Sequence, residues 1–437
     1  MKVAVFGLGP VGLSFCFAVG NAGFSVFGVD SNDGVINQLV SDNFPNYERD
    51  FKSLFDSLTC SGLLRVGNAL SKEELFDVFV ICVGTPLNKS NGVFNDGHLI
   101  SVVSDVSKFI KKNSLVVLRS TVPVKTSRNI VIPLLEKNSG LRVGSDFFFV
   151  YAPDRTVQGA SLSEFSVVPQ IIGGFGSDDI NYANSFFSTF SSVLNVSSIE
   201  SAEMIKLMDN SFRDVVFAYS NELALACEKL GLDAFELINS ANKDYSRNNI
   251  PFPSPGVGGS CIPKDSHVLA ELYSKLGFYD NLVFTGRKVN ESVPSRIVSR
   301  IKFHLERAGK SVTDAKFFVV GFSFKGHPET SDLRGSTALL VVDELKKYSS
   351  NIYGFDPVIS KTELSSFGVI GCDSVYEGCE NADVVLFLNN HVSYAKLDVS
   401  KICFSMRPKS VFFDAWRVFS KENFLNLKDI NYLSVGL

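Results

Sequence analysis

The sequence predicts an α/β protein in which two doubly wound sheet domains are joined by a central helical connector. Three features carry that expectation. Strand and helix patterns alternate over residues 1–197, the same alternation restarts after residue 307, and a long helical stretch lies between them. The 437 residues are enough for two or three domains with sizeable cores. A composition of 45% hydrophobic and 20% charged residues is that of a globular chain, not a disordered one.

The first element is "KVAVFGLGPVGLSFCFAVGNAGFSVFGVD", which reads strand, glycine turn, helix, strand. No charged residue occurs from Val3 to Val29, long enough to mimic a membrane span. Gly7, Gly9, Pro10, Gly12, Gly20, Asn21 and Gly23 interrupt it, so a soluble βαβ reading is favoured over a span or a signal peptide. "FDVFVICVGTP", "SLVVLRSTVP" and "FFFVYAPDR" read as further buried strands, and a parallel sheet with helices on both faces is expected. Next comes "SAEMIKLMDNSFRDVVFAYSNELALACEKLGL", apolar at helical spacing and without Pro or Gly until Gly231. More helix is expected between Lys264 and Arg307, which makes 198–307 a connector and a candidate oligomer contact. "AKFFVVGFSF", "STALLVVDELKKY", "SNIYGFDPVI", "ADVVLFLNN" and "SVFFDAW" then read as strand, helix and three strands of a second α/β domain, 308–437. The two lobes resemble each other in pattern only.

The net charge of −4 gives no electrostatic case for nucleic acid or an anionic membrane, so a phosphate ligand must be held by local groups. The eight cysteines are scattered without a CxxC pair, which argues against a zinc site and a disulfide framework and for a reducing cytoplasm. No HExxH or GxSxG motif occurs, so metalloprotease and serine-hydrolase readings have no support, and no metal is expected.

Gly7, Gly9 and Gly12 form GxGxxG between a strand and a helix. The first glycine permits the turn, the second lets a pyrophosphate approach, and the third allows close helix packing. Asp30 ends the next strand, where an acid binds ribose hydroxyls and favours NAD over NADP. Together these predict a Rossmann-like NAD domain. Lys206, Asn210 and Arg213 share one face of the long helix. A solvated polar stripe explains that spacing equally, although asparagine is a poor mid-helix residue and a buried Lys/Asn pair could polarise a substrate oxygen. "GVGGSCIPKD" sets Cys261 behind Gly256, Gly258 and Gly259 and ahead of Lys264 and Asp265. A reactive thiolate needs a cation or a helix N-terminus nearby, and the functional reading is favoured here, with the other seven cysteines read as buried and structural. Lys325 and Arg334 fall in a strand-to-helix loop of the second lobe, where two cations suit a phosphate and an ordinary charged surface loop is an equal alternative.

Taken in order, "GLGPVGL" with Asp30, "VGTPL", "STVP", "AEMIKLMDNSFRD", "NELA", "GVGGSCIPKD", "GFSFKGHPETSDLRGSTAL" and "FDP" resemble the UDP-glucose/GDP-mannose dehydrogenase family over nearly the whole chain. The resemblance implies an NAD domain (1–197), a helical connector that builds a homodimer or higher homo-oligomer (198–307), and a UDP-sugar domain (308–437). It implies oxidation of a sugar C6 alcohol to a carboxylate with two NAD reduced, through a Cys261 thiohemiacetal and thioester. Lys206 and Asn210 would stabilise the oxyanion, and Asp265 would move protons with Lys206 and a water. Gly7, Gly9, Val11, Gly12, Asp30, Thr85, Thr121, Lys264 and Arg334 would hold NAD. Lys206, Asn210, Arg247, Gly258, Lys325 and Arg334 would hold the sugar nucleotide, Arg247 from across the dimer. Thr121 and Asp154 would complete the reaction site. The chain departs from the family pattern at Asp154 and Gln158, where glutamates are usual, and at Lys125, where glycine is usual. These departures bear on the hydrolytic step, in which Asp154 would position water. "APDRTVQGASLSEFSVVPQIIGG" resembles the branch that oxidises UDP-N-acetylhexosamines, UDP-N-acetylmannosamine above all.

Overall fold

The computed structural model describes all residues except 43, 46, 89–91 and 428. The chain forms two compact units, 1–209 with 271–276, and 210–270 with 277–437.

The first unit is built on an eight-stranded sheet: β1 (Lys2–Phe6), β2 (Ser25–Val29), β3 (Leu64–Gly67), β4 (Val78–Ile81), β5 (Leu115–Leu118), β6 (Phe148–Tyr151), β7 (Gln170–Gly174) and β8 (Val193–Asn195). Their order is β3-β2-β1-β4-β5-β6-β7-β8. Val3, Ala4, Val5 and all of β4 and β5 are buried, as expected of strands covered on both faces. Two apolar clusters, around Phe15 and Phe186 and around Phe79 and Phe149, fill the opposite faces. The uncharged N-terminal run folds as β1, a helix over Pro10–Asn21, and β2. Among the described residues no helix is long and apolar enough to cross a membrane. The all-parallel expectation fails at one place: β7 runs antiparallel to β6. Only a four-residue helix, Ser161–Glu164, interrupts the β6–β7 connection, too little for the crossover that a parallel neighbour needs.

The second unit carries a six-stranded parallel sheet: β9 (Phe317–Val320), β10 (Ile352–Phe355), β11 (Ile370–Gly371), β12 (Val384–Phe387), β13 (Ser410–Asp414) and β14 (Ile430–Leu433), in the order β11-β10-β9-β12-β13-β14. This repeats the arrangement of β1 to β6, so the likeness of the lobes exceeds the pattern read from sequence. It extends to hydrogen bonds. Gly7, at φ +92°, donates to the Val29 carbonyl at 2.8 Å, and Leu8 N–H donates to Asp30 Oδ2 at 2.9 Å. Gly321, at φ +89°, donates to the Phe355 carbonyl at 3.0 Å, and Phe322 N–H to Asp356 Oδ2 at 2.6 Å.

The long helical segment is one helix, Ile199–Leu230, and the boundary between the units falls within it. Two more helices, Ile262–Lys275 and Leu282–Arg307, account for the helix expected after Lys264. The expectation that every cysteine but Cys261 is buried fails in part at Cys82, which is half-buried, and outright at Cys60, which is exposed. It ends the helix Phe51–Cys60, whose inward face is taken by Phe51, Phe55 and Leu58.

Candidate active site

In the first unit the helix Pro10–Asn21 starts directly after the glycine loop, with proline in its first turn, where the missing N–H is no loss. The three glycines do different work. A Cβ on Gly12 would stand 1.8 Å from the Gly7 carbonyl oxygen, whereas one on Gly9 would meet no atom of the described residues within 4 Å. Tight packing at the third glycine and an open cradle at the second fit a dinucleotide pyrophosphate at the helix N-terminus. Val11 lies in the first turn of the same helix. Behind the loop, burial pushes the Cys82 thiol up to about 12, so this cysteine is a neutral packing residue. Asp30 takes one further N–H, from Asn32 at 3.0 Å. Thr85 is buried and its hydroxyl donates to the Thr121 carbonyl at 2.6 Å, joining two of the expected cofactor residues.

The ends of β5 and β6 hold a group that sequence reasoning passed over. Arg119 is fully buried, its guanidinium 4.6 Å from the ring centre of Phe15 and 5.8 Å from that of Phe165. It donates to Gln170 Oε1 at 3.0 Å and to Asp154 Oδ1 at 3.1 Å. Asp154 also accepts from the Thr156 hydroxyl at 3.1 Å. The main-chain carbonyl of Asp154 receives the Lys206 ammonium at 2.5 Å. Arg155, next in sequence, pairs with Asp209 at 2.8 Å. Nearby, Lys125 sits at φ +76°, a conformation natural to glycine. Its N–H and that of Ser127 donate to the buried carboxylate of Glu203 at 2.6 and 2.9 Å, which holds the strained turn in place.

In the second unit Cys261 is exposed and its carbonyl accepts the N–H of Asp265 at 2.9 Å, so the helix Ile262–Lys275 starts from it. The exposed nucleophile candidate thus stands at a helix N-terminus, with the Ser260 hydroxyl 3.6 Å from its sulfur. Behind it, the fully buried Asp265 accepts from Asn210 Nδ2 at 2.5 Å and pairs with Lys264 Nζ at 2.7 Å. The glycines answer to protein backbone. A Cβ on Gly258 would lie 2.5 Å from the Gly335 carbonyl oxygen, and Gly259 N–H donates to that oxygen at 3.1 Å. The cysteine loop is therefore stitched to the loop that carries Lys325 and Arg334. Arg334 is exposed and forked onto the Asp332 carboxylate, with its closest contact at 2.6 Å. Ser323 ties its hydroxyl to the Lys325 carbonyl at 2.9 Å. Arg247 lies over the Tyr245 ring at 4.7 Å and lines a largely apolar cavity of about 400 Å³ with Val215, Tyr219 and Leu282.

A second buried polar group was also missed. Arg287 pairs with Asp214 at 2.9 Å and donates to the Val257 carbonyl at 3.2 Å, and Asn290 donates to Asp214 Oδ1 at 2.7 Å. Asn221 donates to Asn290 and accepts from Ser254 N–H at 2.8 Å. Burial pushes the Asp214 carboxyl up, opposed by the Arg287 charge. This network anchors the start of the cysteine loop. Its signal in the sequence was the aspartate of "NSFRD" and the asparagine of "NELA" within the long helix.

A complete dinucleotide loop in one lobe, the same sheet order in a second lobe, and an exposed helix-start cysteine backed by Asn210, Asp265 and Lys264 fit the class of two-lobed nucleotide-dependent dehydrogenases. Residues 1–191 match the NAD binding domain of the UDP-glucose/GDP-mannose dehydrogenase family, 200–292 its central domain and 318–421 its UDP binding domain. The chain belongs to that family, and it is an NAD-dependent nucleotide-sugar dehydrogenase. It is 30% identical over 412 residues to a UDP-N-acetyl-D-mannosamine dehydrogenase of Pyrococcus horikoshii, covering 94% of each chain. It is 31% identical over 397 residues to Protein CapL of Staphylococcus aureus, covering 90% of each. Among solved structures it resembles the UDP-D-ManNAc dehydrogenase of Pyrococcus horikoshii (TM-score 0.89, 29% identity, 100% and 99% of the two chains). It also resembles the UDP-N-acetyl-mannosamine dehydrogenase Cap5O of Staphylococcus aureus (TM-score 0.84, 28% identity, 100% and 98%).

Proposed function

We propose that this enzyme oxidises the C6 hydroxymethyl group of UDP-N-acetyl-D-mannosamine to the carboxylate. The substrate is inferred from the relatives' names together with the "APDRTVQG" segment. The observation that carries the chemistry is Cys261: exposed, at a helix start, with the buried Asp265 carboxylate and Asn210 amide and the half-buried Lys264 ammonium behind it.

Bound NAD supplies the hydride acceptor, and removal of four electrons from one sugar draws on two NAD and one water. Gly7, Gly9, Val11, Gly12, Asp30, Thr85 and Thr121 would hold it, joined by Lys264 and Arg334. At the aldehyde stage the Cys261 sulfur adds to C6, forming the C–S bond of a thiohemiacetal, and the carbonyl oxygen takes up a proton. At the acyl stage C6 is a thioester. Water adds there, the C–S bond breaks, and the thiol and the carboxylate are released. Lys206 and Asn210 stabilise the alkoxide or oxyanion on the C6 oxygen at each stage. Asp265 moves protons through water. Arg247, Gly258, Lys325 and Arg334 bind the sugar nucleotide, Arg247 reaching it in a homodimer. In this reading 1–197 serve NAD, 198–307 the cysteine and the dimer, and 308–437 the UDP group. The product would enter surface polysaccharide synthesis in the cytoplasm, where free cysteines stay reduced.

The test is a count of NADH released per sugar across UDP-N-acetylmannosamine, UDP-N-acetylglucosamine, UDP-N-acetylgalactosamine and UDP-glucose. Two NADH per UDP-N-acetylmannosamine is the expected result. Turnover of UDP-glucose alone would make this a UDP-glucose 6-dehydrogenase, and no turnover of any sugar a binding protein. Cys261→Ala should form no acid, and a normal acid yield from that variant would sink the thioester route.

A further inference from the structure

Arg119 and Asp154 meet at the ends of neighbouring strands. The guanidinium is fully buried, and among the described residues its one ion pair is with Asp154 at 3.1 Å. Its Nε is buried without an acceptor among the described residues, so the cation depends heavily on that single carboxylate. The same residue, Asp154, seats Lys206 through its main-chain carbonyl at 2.5 Å. Phe15, from the helix that follows the dinucleotide loop, lies against the guanidinium, and Gln170 of β7 accepts its second donor. One buried cation therefore joins the dinucleotide helix, the β6 end and β7.

We propose that Arg119 is a positioning residue for Lys206: it clamps the Asp154 carboxylate and thereby fixes the carbonyl on which the Lys206 ammonium rests. In consequence the Asp154 carboxylate is a counter-ion and not the base for the hydrolytic water. A general base accepts a proton in every turnover. Asp154 Oδ1 is already engaged by the Arg119 guanidinium and the Thr156 hydroxyl, so this carboxylate is committed to the clamp and not turned to a water.

The proposal rests on the role given to Lys206 above, and its test separates the two. Asp154→Asn, Arg119→Met, their combination, Lys206→Ala, and Lys206→Ala with Asp154→Asn are made in the full chain. Each is assayed with UDP-N-acetylmannosamine and NAD for kcat, both KM values, the pre-steady-state NADH burst and the melting temperature. Asp154→Asn should lower kcat and the burst together by about tenfold or more, with little change in KM, since displacing a positioned group costs the chemical step. Arg119→Met with Asp154→Asn should recover the melting temperature, because neither charge is then left alone, while kcat and the burst stay low, because the clamp on the carbonyl is still missing. Asp154→Asn should cost nothing further in the Lys206→Ala background. A double variant that keeps the burst and still fails to hydrolyse would make Asp154 the water base and overturn the proposal. An equal fractional loss from Asp154→Asn with and without Lys206 would also overturn it, leaving a merely structural pair. If Arg119→Met does not fold, that Lys206 comparison decides alone. A fully active Lys206→Ala variant would overturn the premise instead, while leaving the Cys261 chemistry standing.

Discussion

The cysteine loop makes a sharp prediction at Gly258. Alanine there would place its methyl carbon 2.5 Å from the Gly335 carbonyl oxygen and 3.3 Å from both the main-chain nitrogen and the methyl of Thr337. Carbon and oxygen settle at about 3.3 Å or more, so one backbone must retreat by roughly 0.8 Å. Neither side has a flexible tip that could yield. The Gly259 N–H bond to the same oxygen, 3.1 Å long, breaks or stretches with the movement. Overpacking of this kind costs about 1–3 kcal/mol, which for a unit of this size lowers the melting temperature by roughly 2–10 °C. Cys261 lies three residues on, and a misplacement approaching 1 Å costs up to about a hundredfold in a chemical step. The expected outcome is a folded enzyme with kcat reduced about tenfold to a hundredfold and an unchanged KM for NAD, whose loop belongs to the other unit. The assay is initial-rate kinetics with UDP-N-acetylmannosamine, with thermal melting on the same preparation. A variant with wild-type kcat and wild-type melting would refute the close approach and the role of the loop in placing the cysteine.

Other perturbations follow from single groups. Asp30→Ala should raise the KM for NAD about tenfold and narrow the preference over NADP, because the acid that repels a 2′-phosphate is gone; an unchanged cofactor ratio would remove Asp30 from the ribose site. Lys125→Gly should stabilise the first unit by roughly 0.5–1 kcal/mol, the relief of a left-handed side chain less the extra entropy of glycine in the unfolded chain. A lower melting temperature for that variant would mean that the Glu203 contacts require the lysine. Asp414 gives a pH effect. Burial raises its carboxyl from 3.8 to about 6, against N–H donors from Phe419, Val418 and Trp416. A raised folded value means the folded state holds the proton more tightly, so this contribution is complete below about pH 4 and is lost as pH rises through 6. A shift of about two units amounts to roughly 3 kcal/mol. Urea unfolding at pH 4 and pH 7 should therefore show the wild type losing about that much more than Asp414→Asn, and parallel profiles would contradict it.

What could be read from sequence was local. GxGxxG followed by a strand ending in Asp30 spans few residues, and its geometry follows from glycine conformations and a single βαβ turn. The helix-start cysteine was legible for the same reason: "GVGGSC" breaks the chain and "IPKD" begins a helix with proline and an acid in its first turn. The partners of these groups were not legible, because folding brings them from distant positions. Gly258 faces Gly335, and nothing in either glycine names the other. Arg119 interrupts the apolar run "VVLRSTV", a signal that a buried ion pair was needed, yet its partner 35 residues on could be any acid at a strand end. The strand β7 was missed altogether because "QIIGG" is short and apolar, too brief a run for periodicity to mark as a strand. Cys60 was misread because one residue type was judged by its average burial, whereas its place on a helix face decides.

The two lobes show how one scaffold yields two recognition chemistries. Each places a glycine of positive φ after its first strand and a carboxylate after its second, and each carboxylate receives the N–H that follows that glycine. They differ in how much of the carboxylate the protein consumes. Among the described residues Asp30 accepts one N–H on each oxygen, from Leu8 and from Asn32, and a carboxylate has capacity for about four. Asp356 accepts four: Phe322 and Ser323 on one oxygen, Val358 and Ile359 on the other. It is also buried. The first carboxylate retains acceptor sites for the two hydroxyls of a ribose, whereas the second is filled by its own loops and serves as a structural pin. The glycines diverge in the same sense. A side chain at Gly9 would meet nothing within 4 Å among the described residues, but the second lobe has Ser323 at the equivalent step, with its hydroxyl tied to the Lys325 carbonyl. These differences fit the match of residues 1–191 to an NAD binding domain. The loop after β9, relieved of that task, carries Lys325 and Arg334, which in the proposed reading would meet the nucleotide diphosphate.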